Sequence, residues 1–158
     1  RKREQVIKED IYKQLNDARK EKDTSKLNLL GYIYGEIQKK EREGKTTIEF
    51  DDDKVIALLK AHIKKAKGNV ELYAQSNETE KAAQEQSEID ILETFLPEQI
   101  SEADLKVAVQ AVIDSGVEPE MKNMGKIIGA VRAQFKAKGQ EQAVDGKLLS
   151  DVVKASLA

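Results

Sequence analysis

The stretch Phe95-Leu96-Pro97-Glu98-Gln99-Ile100-Ser101 decides how the chain is divided. The sequence on either side of it has helical periodicity. Here two large apolar side chains run directly into a proline, one of only two among 158 residues. Proline offers no amide hydrogen and disfavours helical geometry in the residue before it. A helix therefore ends at Pro97. Ser101, with Asp104 behind it, supplies the cap and first-turn charge of the next helix. Phe95, Leu96, Pro97 and Ser101 read as a joint between two modules, residues 1–96 and 97–158.

Upstream of the joint, Val6, Ile7, Ile11, Leu15 and Ala18 predict an amphipathic helix over about residues 4–22. Asp23-Thr24-Ser25 makes a turn. Leu27, Leu30, Tyr34 and Ile37, with Leu29 and Ile33, predict a second helix that stops at a glycine C-cap, Gly44. Lys45 to Phe50 reads as an extended loop. Asp51-Asp52-Asp53 then caps a third helix, whose residues Ile56, Leu59, Ile63, Ala66, Val70 and Tyr73 form a 3-4-3-4-3 seam. Such a seam predicts coiled-coil-like packing against a partner helix, either in the same chain or in a second copy. Asn77 with Glu80 fits a capping box for a fourth helix. That helix carries Ile89, Ile91, Leu92, Phe95 and Leu96 up to the proline.

Downstream the helices are shorter. Leu105, Ala108, Val109 and Val112 mark one ending near Gly116. Met121, Met124, Ile127, Ile128, Val131 and Phe135 mark another ending near Gly139. Asp145 starts the last, with Leu148, Leu149, Val152, Val153 and Leu157. The expected fold is all-α: an N-terminal helical hairpin or bundle of about four helices, followed by a small three-helix C-terminal domain.

Composition narrows the chemistry. Hydrophobic residues are 39%, aromatics 4%, and there is no tryptophan, which suits helix packing built from Leu, Ile, Val and Ala. Cysteine is absent, which removes disulfides and thiolate chemistry, and the lone histidine removes a His-rich metal site. The formal net charge is −2, so any nucleic-acid contact must be a local patch. No membrane span or signal core is visible, and the expectation is a cytoplasmic protein. The chain opens on Arg1 rather than Met, which is what removal of a few residues or of a targeting segment would leave.

The ordered set Glu71-Leu72-Tyr73-Ala74, Ile89-Asp90-Ile91-Leu92-Glu93-Thr94-Phe95-Leu96-Pro97-Glu98-Gln99-Ile100-Ser101, Asn123-Met124-Gly125-Lys126-Ile127-Ile128-Gly129 and Asp145-Gly146-Lys147-Leu148-Leu149 resembles the signature of the YqeY family. The resemblance covers nearly the whole chain, with Leu27 to Lys40 and Asp52 to Lys65 fitting more loosely. It implies a two-part helical protein. It also implies that the C-terminal part is similar to the tail domain of the B subunit of the glutamine-dependent tRNA amidotransferase (GatB), where the role is to hold tRNA rather than to do chemistry. The sequence departs from the family at Lys64-Lys65-Ala66-Lys67-Gly68-Asn69, where an arginine and an aspartate are usual. Any role of those two groups therefore does not carry over.

No self-contained active site emerges from the residues. His62 flanks the seam without an acid placed beside it by sequence. Asp51-Asp52-Asp53 is explained by capping rather than by a divalent ion. Gly125-Lys126-Ile127-Ile128-Gly129 lacks the spacing, the hydroxyl residue and the preceding strand of a phosphate loop. The glycines Gly125, Gly129 and Gly146 are expected instead to let a neighbouring backbone approach closely; the helix-propensity cost of Gly125 and Gly129, ~1 kcal/mol per glycine, calls for such a reason. The candidate RNA-binding residues are Lys122, Lys126, Arg132, Lys136, Lys138 and Lys147. Lys122, Lys126 and Lys136 are spaced to share one side of a helix, and Lys147 lies in the first turn of another. With few aromatics for stacking, RNA would be read by shape. Expected partners are tRNA or a tRNA-handling enzyme, with no membrane, metal or small-molecule cofactor. The alternative expectation is a protein–protein module without RNA binding, docking through the third-helix seam or through the Ile127/Val131/Phe135 face.

Overall fold

The computed structural model describes residues 5–43 and 50–158. The fold is all-α, and the chain divides into two compact units, Arg1–Leu96 and Pro97–Ala158. The glycine cap expected at Gly44 and the loop from Lys45 lie outside the described residues. Phe50, the end of that loop, is buried.

The first unit contains α1 (Val6–Glu21), α2 (Thr24–Glu41), α3 (Asp52–Gln75) and α4 (Thr79–Glu93). They form two antiparallel hairpins, α1 with α2 and α3 with α4. Ile11 and Leu15 of α1, Leu30, Ile33 and Ile37 of α2, Leu59 and Ile63 of α3, and Ile89 and Leu92 of α4 share one apolar core. The seam on α3 is thus covered within the chain. Ile56, Leu59, Ile63 and Ala66 are buried, and only Val70 and Tyr73, toward the hairpin tip, are partly open. The acidic run serves two helix starts. Asp51 accepts from the Lys54 amide at 3.1 Å, and Asp52 accepts from the Ile7 amide of α1 at 2.9 Å. Two of the first unit's orphan N–H groups are thereby satisfied.

Two helix ends differ from expectation. Asn77 is not the cap of α4: it sits at φ +59 in the turn, and Glu78 holds the N-cap position with no side-chain cap. Asn tolerates the left-handed region, and a tight turn between antiparallel helices needs a residue that does. α4 also stops at Glu93 rather than running to Pro97. The amides of Thr94, Phe95 and Leu96 bond three residues back, to Ile91, Leu92 and Glu93. The chain tightens into a 3-10 turn before the proline, because proline excludes helical geometry in Leu96.

The second unit contains α5 (Glu102–Asp114), α6 (Met124–Ala137) and α7 (Gly146–Ser156), with 3-10 turns at Met121–Asn123 and Glu141–Ala143. Ser101 caps α5 by accepting from the Asp104 amide at 3.1 Å. Gly116 and Gly139 take positive φ just past α5 and α6, a geometry costly for other residues. Leu105, Val109, Val112, Ile127, Val131, Phe135, Leu149 and Val153 fill the core. Met121 does not join it: it lies in the 3-10 turn and is 67% exposed. Two backbone bonds close the unit, Ile100 N to Ala143 O at 2.9 Å and Ala158 N to Pro119 O at 2.8 Å.

Candidate nucleic-acid surface

Helix α6 divides its residues by face. Ile127, Val131 and Phe135 point into the core at 0%, 0% and 6% exposure, so they cannot dock a partner as the protein–protein reading expected. At ~100° per residue, Gly129 lies nearly opposite Val131, with Gly125 and Lys136 beside it and Lys126 within ~60° on the other flank. All four are exposed.

The glycines do not serve the chain's own packing. A Cβ added at Gly125 or Gly129 would meet no atom within 4 Å among the described residues. The expected close approach of a neighbouring backbone within the chain is therefore corrected: both glycines open onto free space because α5 and α7 pack on the other side of α6. Gly146 differs. A Cβ there would lie 2.9 Å from Nη2 of Arg132. What approaches Gly146 is a guanidinium from α6, not a backbone.

That contact brings Arg132 to the start of α7. There Asp145 accepts from the amides of Lys147 at 2.9 Å and Leu148 at 3.1 Å. The anion position at this helix start is filled by the chain's own carboxylate, which leaves less for an external phosphate than the lysine placement suggested. The N-cap residue of α6, Asn123, makes no capping bond, because its side-chain amide donates to Glu118 O at 3.0 Å.

The six candidate cations separate into two groups. Lys122 is not on α6 but in the preceding 3-10 turn, so it does not share the side formed by Lys126 and Lys136. It pairs with Glu120 at 3.1 Å. Lys138 lies past the helix end with its ammonium 5.6 Å from the Phe135 ring centre. Lys126, Arg132, Lys136 and Lys147 form no ion pair among the described residues. Lys126 and Lys136 are ten positions apart, ~15 Å along the axis, and Gly129 lies between them.

The first unit offers no comparable reactive centre. His62 packs against the Tyr32 ring, centroids 5.8 Å apart. Sequence spacing gave His62 no acid, but the antiparallel return of α4 brings Glu88 within electrostatic reach. The Glu88 carboxyl is pushed up from the ordinary 4.5 by burial first and then by Glu85, while His62 pulls it down. No group of three or more metal-ligating side chains occurs among the described residues. An open depression of about 220 Å³ is lined by Gln5, Lys8, Glu9, Tyr12 and Tyr34. It is smaller than the ~300–1,000 Å³ of ordinary ligand pockets, and its lysine is already held by Glu41 at 2.8 Å. No helix among the described residues is long and apolar enough to cross a membrane.

A family model described as Yqey-like protein matches residues 8–157. The chain belongs to the YqeY family. No curated protein matches it. Within this YqeY-family chain, the matched residues include both the Asn123 to Gly129 stretch with the two α6 glycines and the Asp145 to Leu149 stretch with the α7 cap and the glycine met by Arg132.

Proposed function

We propose that this YqeY-family chain is a non-catalytic RNA-handling protein of the cytoplasm. The outer face of α6 lies against the phosphate backbone of a folded RNA. The resemblance of the C-terminal part to the amidotransferase tail makes tRNA the first candidate, and an accessory role beside a tRNA-handling enzyme the setting. One observation carries the reading. Gly125 and Gly129 leave α6 bare on a face where an added Cβ would meet none of the described residues, and Lys126 and Lys136, which form no ion pair among the described residues, flank them. Gly129, interior to α6, costs ~1 kcal/mol relative to alanine, and no contact among the described residues offsets it. A backbone arriving from outside would gain the space the missing side chains leave, with lysines placed for phosphates on either side. With no aromatic side chain on that face, the contact would follow RNA shape rather than sequence.

Filter binding of the full chain to total tRNA at two salt concentrations tests the reading. Binding should tighten as salt falls. Replacing Lys126 and Lys136 together by Gln should lower the slope of log K against log salt by ~1.8, at ~0.9 for each phosphate no longer neutralised. Absence of binding at low salt, or equal binding to double-stranded DNA, would refute it.

A further inference from the structure

The hairpin of α3 and α4 is buried along only part of its length. The buried residues of α3 are Val55, Ile56, Leu59, Ile63 and Ala66, and those of α4 are Ile89 and Leu92. Between Ala66 and Ile89 no residue is buried, although residues 67–75 and 79–88 are helical. The sequence explains where burial stops. The inner seam of α4 falls at Ala82, Glu85, Ile89 and Leu92, spaced 3-4-3. Toward the core that seam is apolar. Farther out it is a methyl group and a carboxylate. From Thr79 to Glu88, α4 contains no apolar side chain larger than alanine. The α3 seam residues Val70 and Tyr73 therefore meet nothing large on α4 and stay half-buried. Glu85 and Glu88 crowd the same stretch, and burial followed by Glu85 pushes the Glu88 carboxyl up.

Polar contacts do not replace the missing core. Among the described residues, no side-chain hydrogen bond or ion pair joins 67–75 to 79–88. Lys81 pairs with Glu78 at the cap of its own helix, and Gln86 donates to Asp90 along α4. Across the hairpin, the Lys81 ammonium lies 5.7 Å from the Tyr73 ring centre. Each helical segment of this stretch is shorter than the ~12–15 residues below which an isolated helix is marginal in water. Gly68 sits at its base, exposed and interior to α3, two residues past the last buried side chain. An added Cβ there would meet nothing within 4 Å among the described residues, so the glycine weakens the helix where the core ends.

We infer that residues 67–88 form an arm that opens as a unit of its own while the four-helix core stays folded, and that Gly68 marks where the arm comes away. Local opening follows the distribution of buried apolar contacts, and this arm has few. The core does not depend on it: Ile11, Leu30, Ile33, Leu59, Ile89 and Leu92 pack together without a side chain from the arm's outer turns. Elements that rearrange on binding are drawn from such low-stability parts of a fold. The arm is thus a conformational device in the first unit, independent of the α6 surface.

Backbone amide hydrogen exchange of the full chain, followed residue by residue by NMR at increasing low urea, tests this. After correction for intrinsic rates, arm amides should exchange on the order of 100-fold faster than those of α2 and of α3 up to Ala66. Their urea dependence should be shallower, because opening the arm exposes little surface. Ile33→Val trims a fully buried core side chain on α2 without touching the arm. It should speed exchange of the core amides by about two- to tenfold and leave the arm amides unchanged. Gly68→Ala should slow the arm amides by about fivefold. Arm amides that match the core in rate and urea dependence, or that speed up with it in Ile33→Val, overturn the inference. Arm amides that exchange early but do not slow in Gly68→Ala overturn the boundary at Gly68.

Discussion

Replacing Gly129 separates what the chain needs from what a partner needs. Gly129 is interior to α6, and an added Cβ meets no atom within 4 Å among the described residues. Gly129→Ala therefore introduces no clash. It removes a helix-propensity cost of ~1 kcal/mol, partly by narrowing the unfolded ensemble. For a domain of 60–100 residues, ~1 kcal/mol corresponds to a rise of roughly 4–8 °C in Tm. The second unit, Pro97–Ala158, falls at the small end of that range, where the shift per kcal/mol is largest. A thermal melt followed at 222 nm reads it. The longer Gly129→Gln keeps a good helix former but fills the space between Lys126 and Lys136. It should gain less stability and lose affinity for tRNA on the order of tenfold, about 1.4 kcal/mol. Stability and binding then move in opposite directions, the pattern expected where a structural weakness is kept for function. A fall in Tm for Gly129→Ala would refute the claim that the glycine is dispensable to the fold. Unchanged tRNA affinity in Gly129→Gln would refute the contact.

Two further outcomes follow from the first unit. Leu59, fully buried between the two hairpins, should cost ~2–5 kcal/mol when cut to Ala, read by urea denaturation with an unchanged m-value; a cost under ~1 kcal/mol would mean α3 does not anchor that core. Glu88 gives a pH dependence. Its carboxyl is raised above 4.5 in the folded chain, chiefly by burial, so the folded state holds the proton more tightly than the unfolded state. Stability should then fall as pH rises from about 4.5 through the raised value, and Glu88→Gln should flatten that fall; a variant with the wild-type pH profile would refute it.

Much of the fold was legible because helical faces are a periodic property of the chain itself. The stripes through Ile11 and Leu15, Leu30 and Ile37, Leu59 and Ile63, and Val131 and Phe135 all became core. Ends were less legible, because they depend on hydrogen bonds that compete within a turn. Asn77 and Asp51 are both good capping residues by type. Only the geometry of the hairpin puts one in a left-handed turn and the other on an N-cap. Similarly, Lys122 belongs to the same spacing as Lys126 and Lys136 on an ideal helix, yet a 3-10 turn takes it off that side. The site was half legible. Sequence separated Glu88 from His62 and Arg132 from Gly146, and tertiary packing joined them. The glycines of α6 could be seen to need a reason, but not that an added Cβ at either would meet none of the described residues, which depends on where α5 and α7 pack.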